Sequence, residues 1–238
     1  MDLICEDRPS DSPFADRIWR SHSEDGGPFV SMAERHWGLV VTRHQGKTTV
    51  TVRGPESRAT HAYAPEDAQF VGIHFKAGVF MPQLPASTVM DRRDLMLPLA
   101  RSNAFWFHGS GWQIPDYENA DTFLERLARE GLLVFDPLVE AVLQEQPVAV
   151  SARTVQRRFL RATGLTHTAM DQIERARMAV KLLLNGGSLL DTVEQTGYFD
   201  QPHMTRALKH YVGLTPAQIA AKNRSEILSF SYNTPTDF

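Results

Sequence analysis

The stretch Ser151-Ala-Arg-Thr-Val-Gln-Arg-Arg-Phe-Leu-Arg-Ala-Thr-Gly164 decides the fold of the second half of this chain. Ser151 is a favourable N-cap and Gly164 a favourable C-terminal stop, so the stretch predicts one helix between them. Apolar residues recur at helical spacing and predict that one face of this helix is buried. These residues are Val155, Phe159 and Ala162.

Polar and basic side chains occupy the rest of this helix. Arg153, Gln156 and Arg157 share one face, and Arg158 and Arg161 lie on its flanks. An arginine can bind the O6 and N7 atoms of guanine together, and a glutamine can bind adenine in the same two-point fashion. The pattern therefore predicts a helix that reads bases in a major groove of DNA.

A second stretch, Thr196-Gly-Tyr-Phe-Asp-Gln-Pro-His-Met-Thr-Arg-Ala-Leu-Lys-His-Tyr-Val-Gly-Leu-Thr-Pro216, repeats this arrangement. Gly197 predicts a turn, and Asp200 predicts the cap of a helix over residues 201–211. The outward side chains of this helix include Gln201, Thr205 and Arg206. The chain thus predicts two helix-turn-helix units.

A long helix over residues 166–184 is predicted to join the two units. An apolar seam recurs along it in steps of three and four residues, at Ala169, Ile173, Ala176, Val180 and Leu183. About 18 residues at ~1.5 Å each span roughly 27 Å. With its flanking helices, this linker can hold two recognition helices near the ~34 Å that separate neighbouring major grooves.

The charge is unevenly distributed along the 238 residues. Residues 1–150 carry 14 Lys and Arg against 21 Asp and Glu, a net charge of −7, whereas residues 151–224 carry 11 against 5, a net charge of +6. An acidic first part and a basic second part are typical of a regulatory domain attached to a nucleic-acid-binding one.

The first part of the chain is predicted to be rich in strands. Residues 37–43, 47–53 and 69–76 alternate in polarity, and His44-Gln-Gly46 predicts a hairpin turn between the first two. Helices are predicted to begin later. Asn119 predicts the cap of a helix that ends at Gly131. Asp136-Pro137 predicts the start of a second helix, which stops before Pro147.

We therefore expect an α+β fold with three parts. Residues 1–118 form a β-rich domain, with a cupin-like barrel as one candidate architecture, and residues 119–224 form an all-α double helix-turn-helix domain. Residues 225–238 form a tail that either adds an edge strand or stays disordered.

The motifs of the second part resemble those of the AraC/XylS-type transcription regulators. Gln156-Arg157-Arg158-Phe159 with Gly164, Gly197-Tyr198-Phe199-Asp200-Gln201-Pro202-His203, and Gly213-Leu214-Thr215-Pro216 together match the signature of that family over about residues 120–222. The resemblance implies two helix-turn-helix units in adjacent major grooves. It places base contacts at Arg153, Gln156, Arg157, Gln201, Pro202, Thr205 and Arg206, with His203 at the phosphates or the rim. Arg161, on the flank of the first helix, is a further candidate for DNA binding.

The chain departs from the family signature in the second unit. Thr192, Val193 and Thr196 stand where large aliphatic residues and an alanine are usual, and this predicts looser helices there and a weaker DNA contact. Pro147 also replaces the usual glycine in the turn before Ser151.

The sequence predicts neither catalysis nor a bound cofactor or metal. The histidines of the first part are scattered without any His-x-His pair, and there is no nucleophile elbow, phosphate loop or dinucleotide fingerprint. Phe105-Trp-Phe-His-Gly-Ser-Gly-Trp112 is dense in aromatic residues. It predicts either a pocket for an apolar effector or core contacts with the helix that follows Asn119.

These features favour a cytoplasmic, sequence-specific transcription regulator. The chain has one cysteine and no apolar run that fits a signal peptide or a membrane span. Its expected partner is double-stranded DNA, and a small-molecule effector, RNA polymerase and a second copy of the chain are further candidates. Two alternatives stay open: an interaction or co-regulatory protein with weakened DNA binding, and an enzyme domain fused to a helix-turn-helix domain.

Overall fold

A computed structural model of the chain describes residues 3–91 and 94–221. Residues 225–238, for which we predicted an edge strand or disorder, lie outside the described residues. The strands are β1 Leu3–Pro9, β2 Ala15–Ser23, β3 Gly27–Ser31, β4 Gly38–His44, β5 Lys47–Arg53, β6 Thr60–Ala64, β7 Ala68–Phe75, β8 Val79–Phe80, β9 Leu95–Leu97, β10 Leu99–Arg101, β11 Ala104–Phe107, β12 Ser110–Gln113 and β13 Val134–Phe135. The helices are α1 Ala120–Arg129, α2 Pro137–Leu143, α3 Ala152–Thr163, α4 His167–Leu184, α5 Leu189–Thr196, α6 Gln201–Tyr211 and α7 Pro216–Ala221. The strands thus dominate the first part and the helices the second, as the α+β prediction requires.

An antiparallel six-stranded sheet in the order β1-β2-β7-β4-β5-β9 forms the framework of the first part. The predicted hairpin of β4 and β5 is confirmed. Its turn residues Gln45 and Gly46 both have a positive φ, of 48° and 72°, which is the backbone that a two-residue hairpin turn requires. β7 lies between β2 and β4, where Gly72 leaves room for the Trp19 ring of the neighbouring strand.

Three small sheets complete the β-rich part: β10-β11-β12, β3-β6 and β8-β13. The aromatic stretch over residues 105–112 falls in the first of these. Phe105 and Trp112 are buried, and their ring centroids lie 6.1 and 6.2 Å from that of Phe123 in α1. The stretch therefore forms core contacts with the helix after Asn119, which was one of the two predicted alternatives.

Most predicted helix starts are confirmed in atomic detail. The side chains of Asp136, Ser151 and Asp200 accept hydrogen bonds from backbone N–H groups of the first turns of α2, α3 and α6, respectively. Ser188 caps α5 in the same way. Asn119 is the exception. It precedes α1, but its side-chain oxygen accepts the N–H of Asp116 instead of capping the helix.

The first helix-turn-helix unit has a longer connection than the sequence predicts. α2 ends at Leu143 and does not reach Pro147, so residues 144–151 separate it from α3, where three or four residues are usual. An open cavity of about 560 Å³ lies between α2, α3 and the start of α4. Val148 and Val150 of the connection and Val155 of α3 line it.

Two apolar clusters hold the fold together. The larger cluster joins the six-stranded sheet to α1, α3 and the first half of α4, including Phe159 and Ile173. The smaller cluster joins the second half of α4 to α5, α6 and α7, and Met32 from the β-rich part enters it. The predicted boundary after residue 118 therefore falls inside one continuous core.

Candidate nucleic-acid interface

Helix α3 presents the predicted polar face to solvent. Arg153, Gln156 and Arg157 are exposed, whereas Phe159 on the opposite face is buried in the larger cluster. Within residues 3–91 and 94–221 the two arginines form no ion pair. Their guanidinium groups are therefore available to a ligand with acceptor atoms, such as a base edge or a phosphate.

The remaining basic residues of α3 contact other residues of the protein. Arg158 forms an ion pair with Asp136, the residue that also caps α2. The guanidinium carbon of Arg161, a predicted contact residue, lies 4.8 Å from the centroid of the Phe80 ring. Arg158 and Arg161 are thus engaged by neighbouring side chains, although Arg161 is still exposed, like Arg153 and Arg157.

Helix α6 presents a second exposed face at its N-terminal half. Gln201, Pro202 and Arg206 are exposed. Thr205 is half-buried, and its hydroxyl donates to the Gln201 carbonyl oxygen at 2.9 Å, back along the helix. The His203 ring packs edge-on against Tyr198, with 5.2 Å between the centroids, so part of its surface is used inside the turn.

The second unit is closely packed, and this corrects the prediction of loose helices. Thr192 is 0% exposed, and its hydroxyl donates to the Ser188 carbonyl oxygen at 2.8 Å. Met204 and Leu208 of α6 are also completely buried. The prediction was wrong because a threonine that bonds one turn back within its own helix can occupy an apolar interface without an unpaired hydroxyl.

The β-rich part contacts both α3 and α6 at their C-terminal ends. Gly164, the C-cap of α3, lies against Ala86 and Pro55. At the end of α6, the backbone N–H of Ala33 donates to the Tyr211 carbonyl oxygen at 2.7 Å, and that of Ala59 to the His210 carbonyl oxygen at 2.8 Å. The N-terminal halves of α3 and α6, which hold most of the predicted contacts, therefore stay uncovered.

A buried ion pair connects the β-rich part to the linker helix. A guanidinium nitrogen of Arg177, in the middle of α4, lies 2.5 Å from a carboxylate oxygen of Glu34. Both side chains are buried. Burial alone would raise the pKa of Glu34, but the charges of Arg177 and His36 outweigh burial and hold this pKa well below its ordinary value.

Histidines extend this buried cluster into the sheet. His36 Nδ1 lies 2.7 Å from a Glu34 oxygen, and its Nε2 lies 3.4 Å from Asp16. Burial would lower the pKa of His36, but the neighbouring carboxylates raise it. The His36 ring stacks on His74, whose Nε2 accepts the indole N–H of Trp19 at 3.0 Å. The cluster therefore runs from the centre of the sheet to the linker helix.

The sequence did not predict this cluster. Glu34-Arg-His36 has no recognisable motif, and Arg177 stands beside the predicted apolar seam of α4 as one of several charged residues. A charged residue next to a buried seam is a weak signal, because long side chains usually reach solvent from such positions.

Metal ligation and membrane insertion find no support among the described residues. No group of three or more histidine, cysteine, aspartate or glutamate side chains in this part of the chain could hold a metal ion. None of its helices is both long and apolar enough to cross a membrane.

Comparisons with known proteins agree with the helix-turn-helix interpretation. Residues 146–222 match a family model described as a helix-turn-helix domain, which is of the AraC type. The HTH-type transcriptional regulator RipA of Corynebacterium glutamicum is 32% identical over 88 residues, which cover 36% of this chain and 27% of that relative. The matched region thus spans about a quarter of the relative's length. No solved structure matches the chain.

Proposed function

We propose that this chain is a sequence-specific DNA-binding transcription regulator that places α3 and α6 in adjacent major grooves. The observation that supports this proposal most is the pair of exposed faces at Arg153, Gln156, Arg157, Gln201 and Arg206, which the β-rich part leaves uncovered. The 18 residues of α4 separate the two helices by a length that suits one turn of DNA.

In this proposal residues 1–118 regulate and residues 119–224 bind DNA. The regulatory part would act through a small-molecule effector, a second copy of the chain or both, and the DNA-bound protein would contact RNA polymerase. The buried pair of Glu34 and Arg177 supports such control, because it connects the segment between β3 and β4 to the helix that sets the spacing of the recognition helices. A change in the sheet can thereby alter that spacing.

Binding to duplex DNA should depend steeply on salt. Residues 151–224 carry a net charge of +6. The logarithm of the binding constant should fall against the logarithm of salt concentration with a slope of about −0.9 for each phosphate neutralised. Titrations of the full chain with random-sequence duplex between low and physiological salt measure this slope.

A matched pair of variants tests which positive charges contribute to the salt dependence of DNA binding. Arg153→Ala removes an exposed arginine from α3. If its guanidinium also neutralises one phosphate, the slope should become less steep by about 1. Arg101→Ala removes an exposed arginine from β10 and should leave the slope unchanged. Binding that is absent at low salt would contradict the proposal and favour an interaction protein without DNA affinity. Equal effects of both variants would contradict the assignment of α3 to the interface.

A further inference from the structure

Phe199 is the most exposed large apolar side chain among the described residues, at 90%. It lies in the turn between α5 and α6, directly before the Asp200 cap of the second recognition helix. An isolated exposed apolar residue on a protein surface is ordinary. This one needs an explanation because it adjoins the uncovered face of Gln201, Pro202 and Arg206.

The usual structural role of such a residue does not account for Phe199. An apolar residue before the N-cap often packs on the residue four positions after the cap and fixes the entry of the chain into the helix. Before α3, Val150 and Val155 occupy those two positions and line the same cavity. Before α6 the inner partner is Met204, which is completely buried while Phe199 stays in solvent. The two side chains are therefore not paired.

The backbone around Phe199 is nevertheless held in place. Gly197 ends α5 in the left-handed conformation, and Tyr198 is buried in the smaller cluster. Asp200 accepts the N–H of His203 at 2.7 Å, and the N–H of Phe199 points to Nδ1 of His203 at 3.4 Å. Because the turn is fixed on both sides, the phenyl ring projects from a defined position at the tip of α6.

We propose that Phe199 contacts the 5-methyl group of a thymine in the half-site read by α6. This inference rests on the proposed DNA-binding function and extends it to one base preference. A phenyl ring has no hydrogen-bonding group, so it cannot recognise the donors and acceptors of a base edge. The thymine methyl is the apolar group that the major groove offers, and phenylalanine suits it. Contact with DNA would also remove the ring from water.

The experiment uses the full chain and a duplex selected by it from random sequences. Each thymine of the second half-site is replaced in turn by uracil, which lacks only the methyl group. One such replacement should weaken binding of the natural protein about fourfold, the effect of one methyl-sized apolar group. Phe199→Ala should weaken binding to the thymine duplex by at least as much, and this variant should no longer distinguish uracil from thymine at that position.

Two further variants make the result specific. Phe199→Leu keeps an apolar side chain and should retain part of the preference for thymine. Leu190→Ala removes the next most exposed apolar side chain, 74% exposed on α5, and should change neither affinity nor the response to uracil.

The possible failures are distinguishable. If no uracil replacement weakens binding, or if Phe199→Ala still distinguishes uracil from thymine, Phe199 does not read a thymine methyl. If in that case Arg206→Ala still weakens binding, the proposed function stands and this inference alone is wrong. If the chain binds no duplex, the proposed function is wrong and the inference is wrong with it.

Discussion

Replacing Glu34 by glutamine should lower the free energy of unfolding by about 3–5 kcal/mol, because the substitution leaves the buried guanidinium of Arg177 without its counter-charge. For a chain of this size the melting temperature should fall by about 6–20 °C. Chemical and thermal unfolding of the purified full chain measure both quantities. The loss should be large because both side chains are buried where the segment between β3 and β4 meets α4.

A second ion pair at the same junction provides the control. Arg35 and Glu174 join the same segment to the same helix at 3.6 Å, but their side chains are 34% and 57% exposed. Glu174→Gln should therefore cost less than about 1 kcal/mol. The double variant Glu34→Leu with Arg177→Met should recover much of the loss of Glu34→Gln, since it removes both buried charges together. Equal losses from Glu34→Gln and Glu174→Gln would contradict the importance of burial.

The free energies of unfolding of the natural protein and of Glu34→Gln, measured across pH, test the contribution of His36 to the buried cluster. The pKa of Glu34 is held below its ordinary 4.5, so its contribution is present above about pH 4.5 and is lost as the pH falls further. The pKa of His36 is raised above 6.5, so its contribution is complete below about pH 6.5 and is lost as the pH rises through the folded value. The difference in free energy of unfolding between the natural protein and Glu34→Gln should therefore be largest between about pH 4.5 and about pH 6.5. A difference in the free energy of unfolding that stays constant as the pH rises above about 6.5 would contradict the coupling of Glu34 to His36.

Local signals in the sequence were sufficient for the helices of the second part. Caps such as Ser151 and Asp200 and stops such as Gly164 act within one turn, so their effect can be read from neighbouring residues. The hairpin of β4 and β5 was predictable for the same reason, because two residues with positive φ fix its turn. The exposed face of α3 followed from helical periodicity alone.

Contacts between distant segments were not predictable in this way. The close packing at Thr192 depends on a hydrogen bond within α5 and on the helices around it, whereas the sequence predicted looser helices there. The pairing of Glu34 with Arg177 joins residues 143 positions apart. The early strand β2, Ala15–Ser23, was not predicted, because its large buried side chains lie on both faces, with Ile18 and Trp19 both in the interior.

Those long-range contacts change the expected relative contributions of α3 and α6 to DNA binding. The sequence predicted a weaker second unit, but α6 is as firmly anchored as α3. α3 is held through Phe159 in the larger cluster, and α6 through Met204 in the smaller one. Both helices are also fixed to the β-rich part at their C-terminal ends. We therefore expect both half-sites to contribute comparably to binding.

Arg157→Ala and Arg206→Ala should each weaken binding to a selected duplex by about 1–3 kcal/mol, which corresponds to about 5- to 150-fold. Both side chains are exposed, and the two residues occupy matching positions one turn after the first predicted contact of their helices. Each variant should relax base preference in one half-site only. The two half-sites should lie about 10 base pairs apart on one face of the duplex. Binding to systematically altered duplexes measures the preference.

Lysine variants separate base reading from phosphate binding. Arg157→Lys and Arg206→Lys keep the positive charge but lose the planar two-point contact with guanine. They should keep the salt dependence of the natural protein and still lose base preference at the affected positions. If the lysine variants preserve the preference, or if the alanine variants weaken binding equally on every sequence, these arginines hold phosphates and do not read bases. A loss confined to Arg157→Ala would show that α6 does not enter the groove, although it is buried and capped as firmly as α3.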